Sequence, residues 1–325
     1  MPRETEPARC RHRFTVASAA RPLVIAHRGA CGYLPEHTLV AKALAFGQGA
    51  DYLEQDVVAT RDGELVVFHD LTLDEVTDVA TRFPGRQRAD GHFYCRDFDL
   101  EELRTLGVGP RRGSAGELQH PGRFPESGGR FGIPTLAEEI RFIRGLIHAS
   151  GRAVGIYPEI KDPAWHRAEG IDLGARVLQV LESTACADPP MPVFLQCFDP
   201  AELQRLRREF NSQLPFVQLI NSIYGQPSAR ELETIAGYAQ AIGPSLKLIY
   251  RGRAGKGAAT TTLVDDAHSA GLLVHPYTFR SDDLPVGMAS FGELLDLFLR
   301  QLGVDGLFTD FPDLARVFID RHLPA

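Results

Sequence analysis

Three short segments carry residue types suited to acid–base chemistry on an anion: His27-Arg28-Gly29, Glu54-Gln55-Asp56 and His69-Asp70. Histidine titrates near neutrality, arginine is a permanent planar cation, and a glycine after them lets the chain turn sharply. The apolar run 23–26 delivers His27 and Arg28 to what reads as a strand end. Glu54 and Asp56 are two residues apart in the next apolar stretch, so on a strand both carboxylates point to one face. Like charges there repel, which favours a divalent cation between them. Each piece has a plainer reading alone: a structural histidine, a solvated strand face, a capped turn at His69-Asp70. Together, beside apolar residues where uncompensated charge is costly, they read as an active site.

The elements that must position these residues follow from periodicity. From Leu23 onward, short β-rich runs alternate with amphipathic helical stretches, the pattern of a parallel α/β protein. The spacing predicts strands at 23–26, 52–58, 155–160, 193–198, 216–220, 241–243, 272–277 and 306–308. Helices fit at 36–46, 136–149, 173–182, 200–210, 229–240, 262–269 and 291–302, with 313–319 closing the chain. Eight such units predict a TIM (β/α)8 barrel over 22–325, preceded by an N-terminal extension, 1–21. Residues 71–132 lack periodicity and read as an inserted subdomain after the second strand, following a short extra strand at 65–68. The alternative is a doubly wound sheet, but Gly29-Ala30-Cys31-Gly32 lacks the third glycine and register of a phosphate loop.

Barrel sites form at the C-terminal strand ends. Here those ends carry His27 and Arg28, Glu54 and Asp56, Glu159 and Lys161, then Gln196, Gln218, His275 with Tyr277, and Thr309 with Asp310. Glu159 can complete a hard-oxygen site for one calcium or magnesium. Zinc is disfavoured, because the first strand has no His-x-His and no cysteines cluster. Lys161 shares the face of Glu159, where the plainer reading is an ion pair. His37, after Glu36, reads either as a polar helix terminus or as a further site residue.

The 325 residues are 44% hydrophobic, ample for a large core, and the net charge of -7 gives no reason to expect a nucleic-acid partner. An anionic ligand therefore depends on local cations such as Arg28. No apolar run approaches the roughly 18 residues of a span, so membrane insertion is not expected. Cys10, Cys31, Cys95, Cys186 and Cys197 show no metal-binding spacing, and five cannot all pair. The N-terminus is basic without a leader's apolar core, so the expected compartment is the cytoplasm, or the periplasm if the start is truncated or misassigned.

His27-Arg28-Gly29-Ala30, Leu34-Pro35-Glu36-His37-Thr38, Glu54-Gln55-Asp56, His69-Asp70, Pro158-Glu159-Ile160-Lys161 and Thr309-Asp310-Phe311-Pro312 together resemble the glycerophosphodiester phosphodiesterase family. Asp51-Tyr52-Leu53, Leu195-Gln196-Cys197-Phe198-Asp199 and Val274-His275-Pro276-Tyr277-Thr278 are similar to its longer bacterial periplasmic branch. The resemblance implies a TIM barrel that binds one Ca2+ or Mg2+ through Glu54, Asp56 and Glu159. It implies His27 and His69 as the acid–base pair, with Arg28 and Lys161 on the phosphate and Gln196, Phe198 and Tyr277 on the glycerol side. The implied reaction is hydrolysis of a small-molecule glycerophosphodiester such as glycerophosphocholine to sn-glycerol 3-phosphate and an alcohol. Two alternatives stand beside it: a phospholipase D-like enzyme on intact lipids, and a noncatalytic metal-stabilised binding protein. Cys31, near the first histidine, departs from the family pattern, as does the missing leader.

Overall fold

The computed structural model describes residues 21–113, 115–185, 190–254 and 257–323. Its strands are β1 (Leu23–Ala26), β2 (Tyr52–Ala59), β3 (Leu65–Val67), β4 (Gly155–Ile160), β5 (Leu195–Cys197), β6 (Phe216–Ile220), β7 (Ala241–Pro244), β8 (Tyr250–Ala254), β9 (Gly257–Thr260), β10 (Leu273–Val274) and β11 (Gly306–Thr309). Eight of them form a parallel sheet in the order β10-β7-β6-β5-β4-β2-β1-β11. Hydrogen bonds from Asp305 N to Val274 O and from Phe308 N to Pro276 O, each 3.0 Å, bring β11 back beside β10, so the sheet is a nearly closed barrel. β3 adds antiparallel to β2, pairing Val57 with Val67.

Helices cover the barrel: α1 (Leu39–Gly47), α2 (Val79–Arg82), α3 (Leu100–Leu103), α4 (Leu136–Ser150), α5 (Pro163–Ala168), α6 (Leu173–Thr184), α7 (Pro200–Glu209), α8 (Ala229–Ala236), α9 (Leu246–Ile249), α10 (Leu263–Ser269), α11 (Phe291–Leu295) and α12 (Pro312–His322). Local chemistry sets their starts. Thr135 and Glu138 make a reciprocal capping box on α4, and Asp199 caps α7 with Pro200 in its first turn. The expected helix 36–46 begins only at Leu39, because Thr38 is the residue whose side chain accepts from Ala41 N, leaving Pro35-Glu36-His37 as a turn. The expected helix 291–302 is α11 followed by a π-helical stretch, Asp296–Gln301. The expected helix 229–240 stops at Ala236 before Gly237, and the strand at 272–277 is regular only over Leu273–Val274. The β8–β9 hairpin, α5 and α9 have too few residues to show a period in the sequence.

The barrel lumen is filled largely by rings, with Tyr157, Phe194 and Phe308 packed around Ile25 and Val217. A larger apolar layer lies between the strands and helices. Residues 71–132 build a core of their own, in which Leu73, Phe93, Phe98 and Leu103 pack onto Val58, Val66 and Phe68 of the β2–β3 side. Cys31, Cys95 and Cys197 are buried free thiols, while Cys10 and Cys186 lie outside the described residues.

Two buried polar arrangements stabilise this scaffold. Lys42 of α1 is fully buried, donating to the backbone oxygen of Glu54 and pairing with Glu139 of α4 at 2.9 Å. Gln55 Nε2 donates to the same Glu139 oxygen at 2.8 Å, and Gln55 Oε1 accepts from Tyr157 N at 3.1 Å, tying β2 to β4. Removing one buried charge leaves the other unpaired, which typically costs about 3–5 kcal/mol. Lys42→Met should therefore destabilise by about that amount in urea unfolding, and adding Glu139→Leu should recover part of it. An additive pair of losses would show the two charges to be uncoupled.

The second arrangement is His275, which lies at full burial against Phe194 and accepts or donates at 2.8 Å with the Tyr157 hydroxyl. Burial pushes its pKa from 6.5 down to about 4, against a smaller upward pull from Asp305. The ring stays neutral in the fold, whereas the unfolded chain takes up the proton, so its share of stability is complete above pH 6.5 and is lost as the pH falls towards 4. The melting temperature should drop between about pH 7 and about pH 5. His275→Asn should flatten that slope, and an unchanged slope would assign the acid sensitivity to other groups.

Candidate active site

At the C-terminal mouth of the barrel is a cavity of about 530 Å³. All ten site residues expected from the sequence line it: His27, Arg28, Glu54, Asp56, His69 and Glu159, with Lys161, Gln196, Phe198 and Tyr277. Past Phe198 and Lys161 it adjoins a cleft of about 820 Å³ that Trp165 and Tyr224 also line. Strand alternation explains the convergence: Glu54 and Asp56 share one face of β2, and Glu159 on β4 stands in register with Asp56 and with Gln196 on β5.

Arg28 enters from the turn after β1 with φ of 55°, a conformation that costs a non-glycine residue about 1–2 kcal/mol. Three contacts hold it there. Its backbone N donates to Glu54 Oε2 at 2.6 Å, Nη1 donates to Glu36 Oε1 at 2.9 Å, and Nε lies 3.4 Å from Asp56 Oδ2. Gly29 follows with φ of 88°; a Cβ there would lie 2.8 Å from the Ala41 backbone, so glycine alone lets α1 approach. His37 is buried, with Nε2 2.8 Å from Asp56 Oδ2.

The three carboxylates are buried together and differ in ionisation. Asp56 stays well below the usual carboxylate range because Lys161, His69 and His37 outweigh its burial. Burial and the adjacent Asp56 charge push Glu54 well above that range. Burial lifts Glu159 to about 8, although Lys161 Nζ is 2.8 Å from its Oε1. Carboxylates that resist ionising in one pocket lack positive charge. Ligand atoms of His37, Glu54 and Asp56 come within 4.8 Å of one another, a group that does not include the expected Glu159, and the buried Oε1 of Gln196 has no hydrogen-bond partner. This oxygen-rich donor set fits a hard divalent cation.

Both histidines are neutral. Burial and Arg28 lower His27 to about 4, and burial, Arg28 and Lys161 lower His69 to about 3. Each ring has a carboxylate on Nδ1: Asp310 Oδ1 lies 2.7 Å from His27, and Asp70 Oδ1 contacts His69. Asp310 is 1% exposed and ends β11's side of the mouth. Arg123 and Arg280 also contact it, and Arg111 contacts Asp70 and Glu36. Sequence alone does not single out these arginines: Arg111 and Arg123 lie in the aperiodic segment 71–132, and Arg280 follows β10.

The chain is similar to known proteins in sequence and in fold. Residues 27–314 match the model of the glycerophosphoryl diester phosphodiesterase family. A Haemophilus influenzae glycerophosphodiester phosphodiesterase is 39% identical, covering 91% of this chain and 89% of its own. A Treponema pallidum glycerophosphodiester phosphodiesterase is 36% identical, covering 93% of each. Among solved structures, one from Silicibacter pomeroyi superposes with a TM-score of 0.69 at 26% identity, over 93% of this chain and 96% of that one. The family model over residues 27–314 and relatives 36–39% identical over most of both chains place the chain in the glycerophosphoryl diester phosphodiesterase family.

Proposed function

We propose that this chain hydrolyses glycerophosphodiesters, deacylated phospholipids such as glycerophosphocholine, to sn-glycerol 3-phosphate and an alcohol. One observation carries the reading: two neutral histidines, two cations and three buried carboxylates converge on a single cavity in a chain 39% identical to a named glycerophosphodiester phosphodiesterase. A phosphodiester is a monoanion with a poor alkoxide leaving group, so its cleavage calls for cations on the phosphoryl oxygens and for a proton donor.

Glu54, Asp56 and Glu159 would hold one Ca2+ or Mg2+, which when bound offsets charge on the phosphoryl oxygens. Arg28 grips two phosphate oxygens with its planar fork, and Lys161 adds a point charge. Gln196, Phe198 and Tyr277 face the glycerol side; the Phe198 and Tyr277 rings meet edge to face with centroids 6.0 Å apart. His27, neutral above about pH 4, is ready to take a proton from the attacking hydroxyl, either water or the substrate's 2-hydroxyl. His69 delivers a proton to the departing alkoxide. Burial, with Arg28 and Lys161, keeps it unprotonated in the free site, and the substrate's phosphate charge would offset the two cations and favour its acid form.

Release of glycerol 3-phosphate from a panel of glycerophosphodiesters, with and without added calcium or magnesium, tests the activity directly; no release from any diester would end the reading. Glu54→Gln, Asp56→Asn and Glu159→Gln should each lower metal affinity and activity on the order of 100-fold or more, and a chelator should reproduce the loss. Full activity in a protein shown metal-free by elemental analysis would remove the cation from the scheme.

The two histidines separate by leaving group. A p-nitrophenolate departs with little acid help, so His69→Ala should lose far less on a glycerol p-nitrophenyl phosphodiester than on glycerophosphocholine. His27→Ala should lose on both. Selective rescue of His27→Ala would exchange the roles, and rescue of neither would exclude leaving-group protonation by this pair.

A further inference from the structure

The inserted segment does more than cover the barrel edge: each histidine of the site is backed by a carboxylate, and each of those carboxylates is held by an arginine from the insertion. For His27 the chain runs through Asp310 to Arg123, whose Nη2 donates to Asp310 Oδ2 at 2.8 Å. For His69 it runs through Asp70 to Arg111, whose Nη1 pairs with Asp70 Oδ2 at 2.7 Å. We infer that Asp310 and Asp70 are positioning residues that fix the tautomers of the two histidines, and that Arg123 and Arg111 make the insertion part of the reaction machinery. The inference rests on the proton-transfer roles given above for His27 and His69.

The argument is firmest at Asp310. Its Oδ1 faces His27 Nδ1, and its Oδ2 accepts from both Arg123 Nη2 and Arg280 Nε, the latter at 2.7 Å. A carboxylate between two guanidinium groups remains ionised and can only accept. His27 must therefore carry its proton on Nδ1, which leaves the Nε2 lone pair available as the base. Arg123 is itself fixed from three sides: Asp282 takes two of its nitrogens at 2.8 and 3.0 Å, the Cys31 carbonyl accepts at 3.3 Å, and the Phe311 ring lies beneath it at 5.5 Å. The insertion is thus latched to the loops after β1, β10 and β11. Arg111 is gripped likewise by Glu36 and Glu75, at 2.6 and 2.5 Å.

The near-isosteric Asp310→Asn change makes the idea testable. Arginines only donate, so the new amide must turn its oxygen to Arg123 and Arg280 and its NH2 to His27. Nδ1 then has to accept, the proton moves to Nε2, and the base loses its lone pair. We expect kcat on glycerophosphocholine to fall about 100-fold or more with KM within about threefold, and the melting temperature to fall as well, because Arg123 and Arg280 lose the buried charge they share. In 15N-histidine spectra of the metal-loaded protein, His27 should be protonated on Nδ1 in the wild type and on Nε2 in Asp310→Asn, assigned against His27→Gln.

A wild-type Nε2–H tautomer, or a kcat for Asp310→Asn within about threefold of the wild type, overturns the inference. Arg123→Gln and Arg111→Gln provide a second measure should Asp310→Asn fold poorly. Each should lower kcat about tenfold, and full activity in both would release the insertion from any such role. Full activity of His27→Ala would instead refute the proposed chemistry while leaving the tautomer result intact.

Discussion

Everything at this barrel mouth depends on gathering like charges where water cannot screen them. Glu54, Asp56 and Glu159 lie buried beside one another, and no arrangement of neighbours available to the chain satisfies all three at once. Asp56 collects the neighbouring positive charge and hydrogen bonds and ionises readily; Glu54 and Glu159 are left short and do not. On the proposed reading, a bound cation would supply the positive charge that Glu54 and Glu159 lack in the fold and so favour their ionised forms.

Strand β2 shows how one short sequence serves stability and chemistry together. Alternation points Glu54 and Asp56 into the mouth and Gln55 the other way, into the buried Lys42–Glu139 pair. Lys42 also donates to the backbone oxygen of Glu54, so the cation that closes the α1–α4 contact sits one residue behind a carboxylate of the site. A register slip of one residue would exchange the two sets and bury the wrong charges on both faces. The chemistry and the register therefore enforce each other.

The elements that were legible in the sequence are those with a period. Eight parallel strands and their flanking helices emerge from alternating apolar runs, and the mouth residues follow from strand ends once a barrel is supposed. The boundaries that moved did so for local reasons, as at Thr38, whose side chain decides where α1 begins. The roles of Asp310, Arg111 and Arg123 were not legible, because their partners lie 283, 41 and 187 residues away in the chain. Periodicity reports which face a residue occupies; it says nothing of which distant loop comes to meet it.

That distance explains why a polar insertion can be maintained without a strong period. Its small core, built on Phe98, Leu103 and Val108 against β2 and β3, needs only to place two arginines. Each arginine then acts where a carboxylate needs a donor and where a histidine needs that carboxylate immobile. Guanidinium suits the task because it never loses its proton and binds through several directed N–H groups, whereas an ammonium would leave the carboxylate free to rotate. A change that loosened the insertion's core would therefore be felt first as a loss of order at the two rings, before the barrel itself lost any of its own packing.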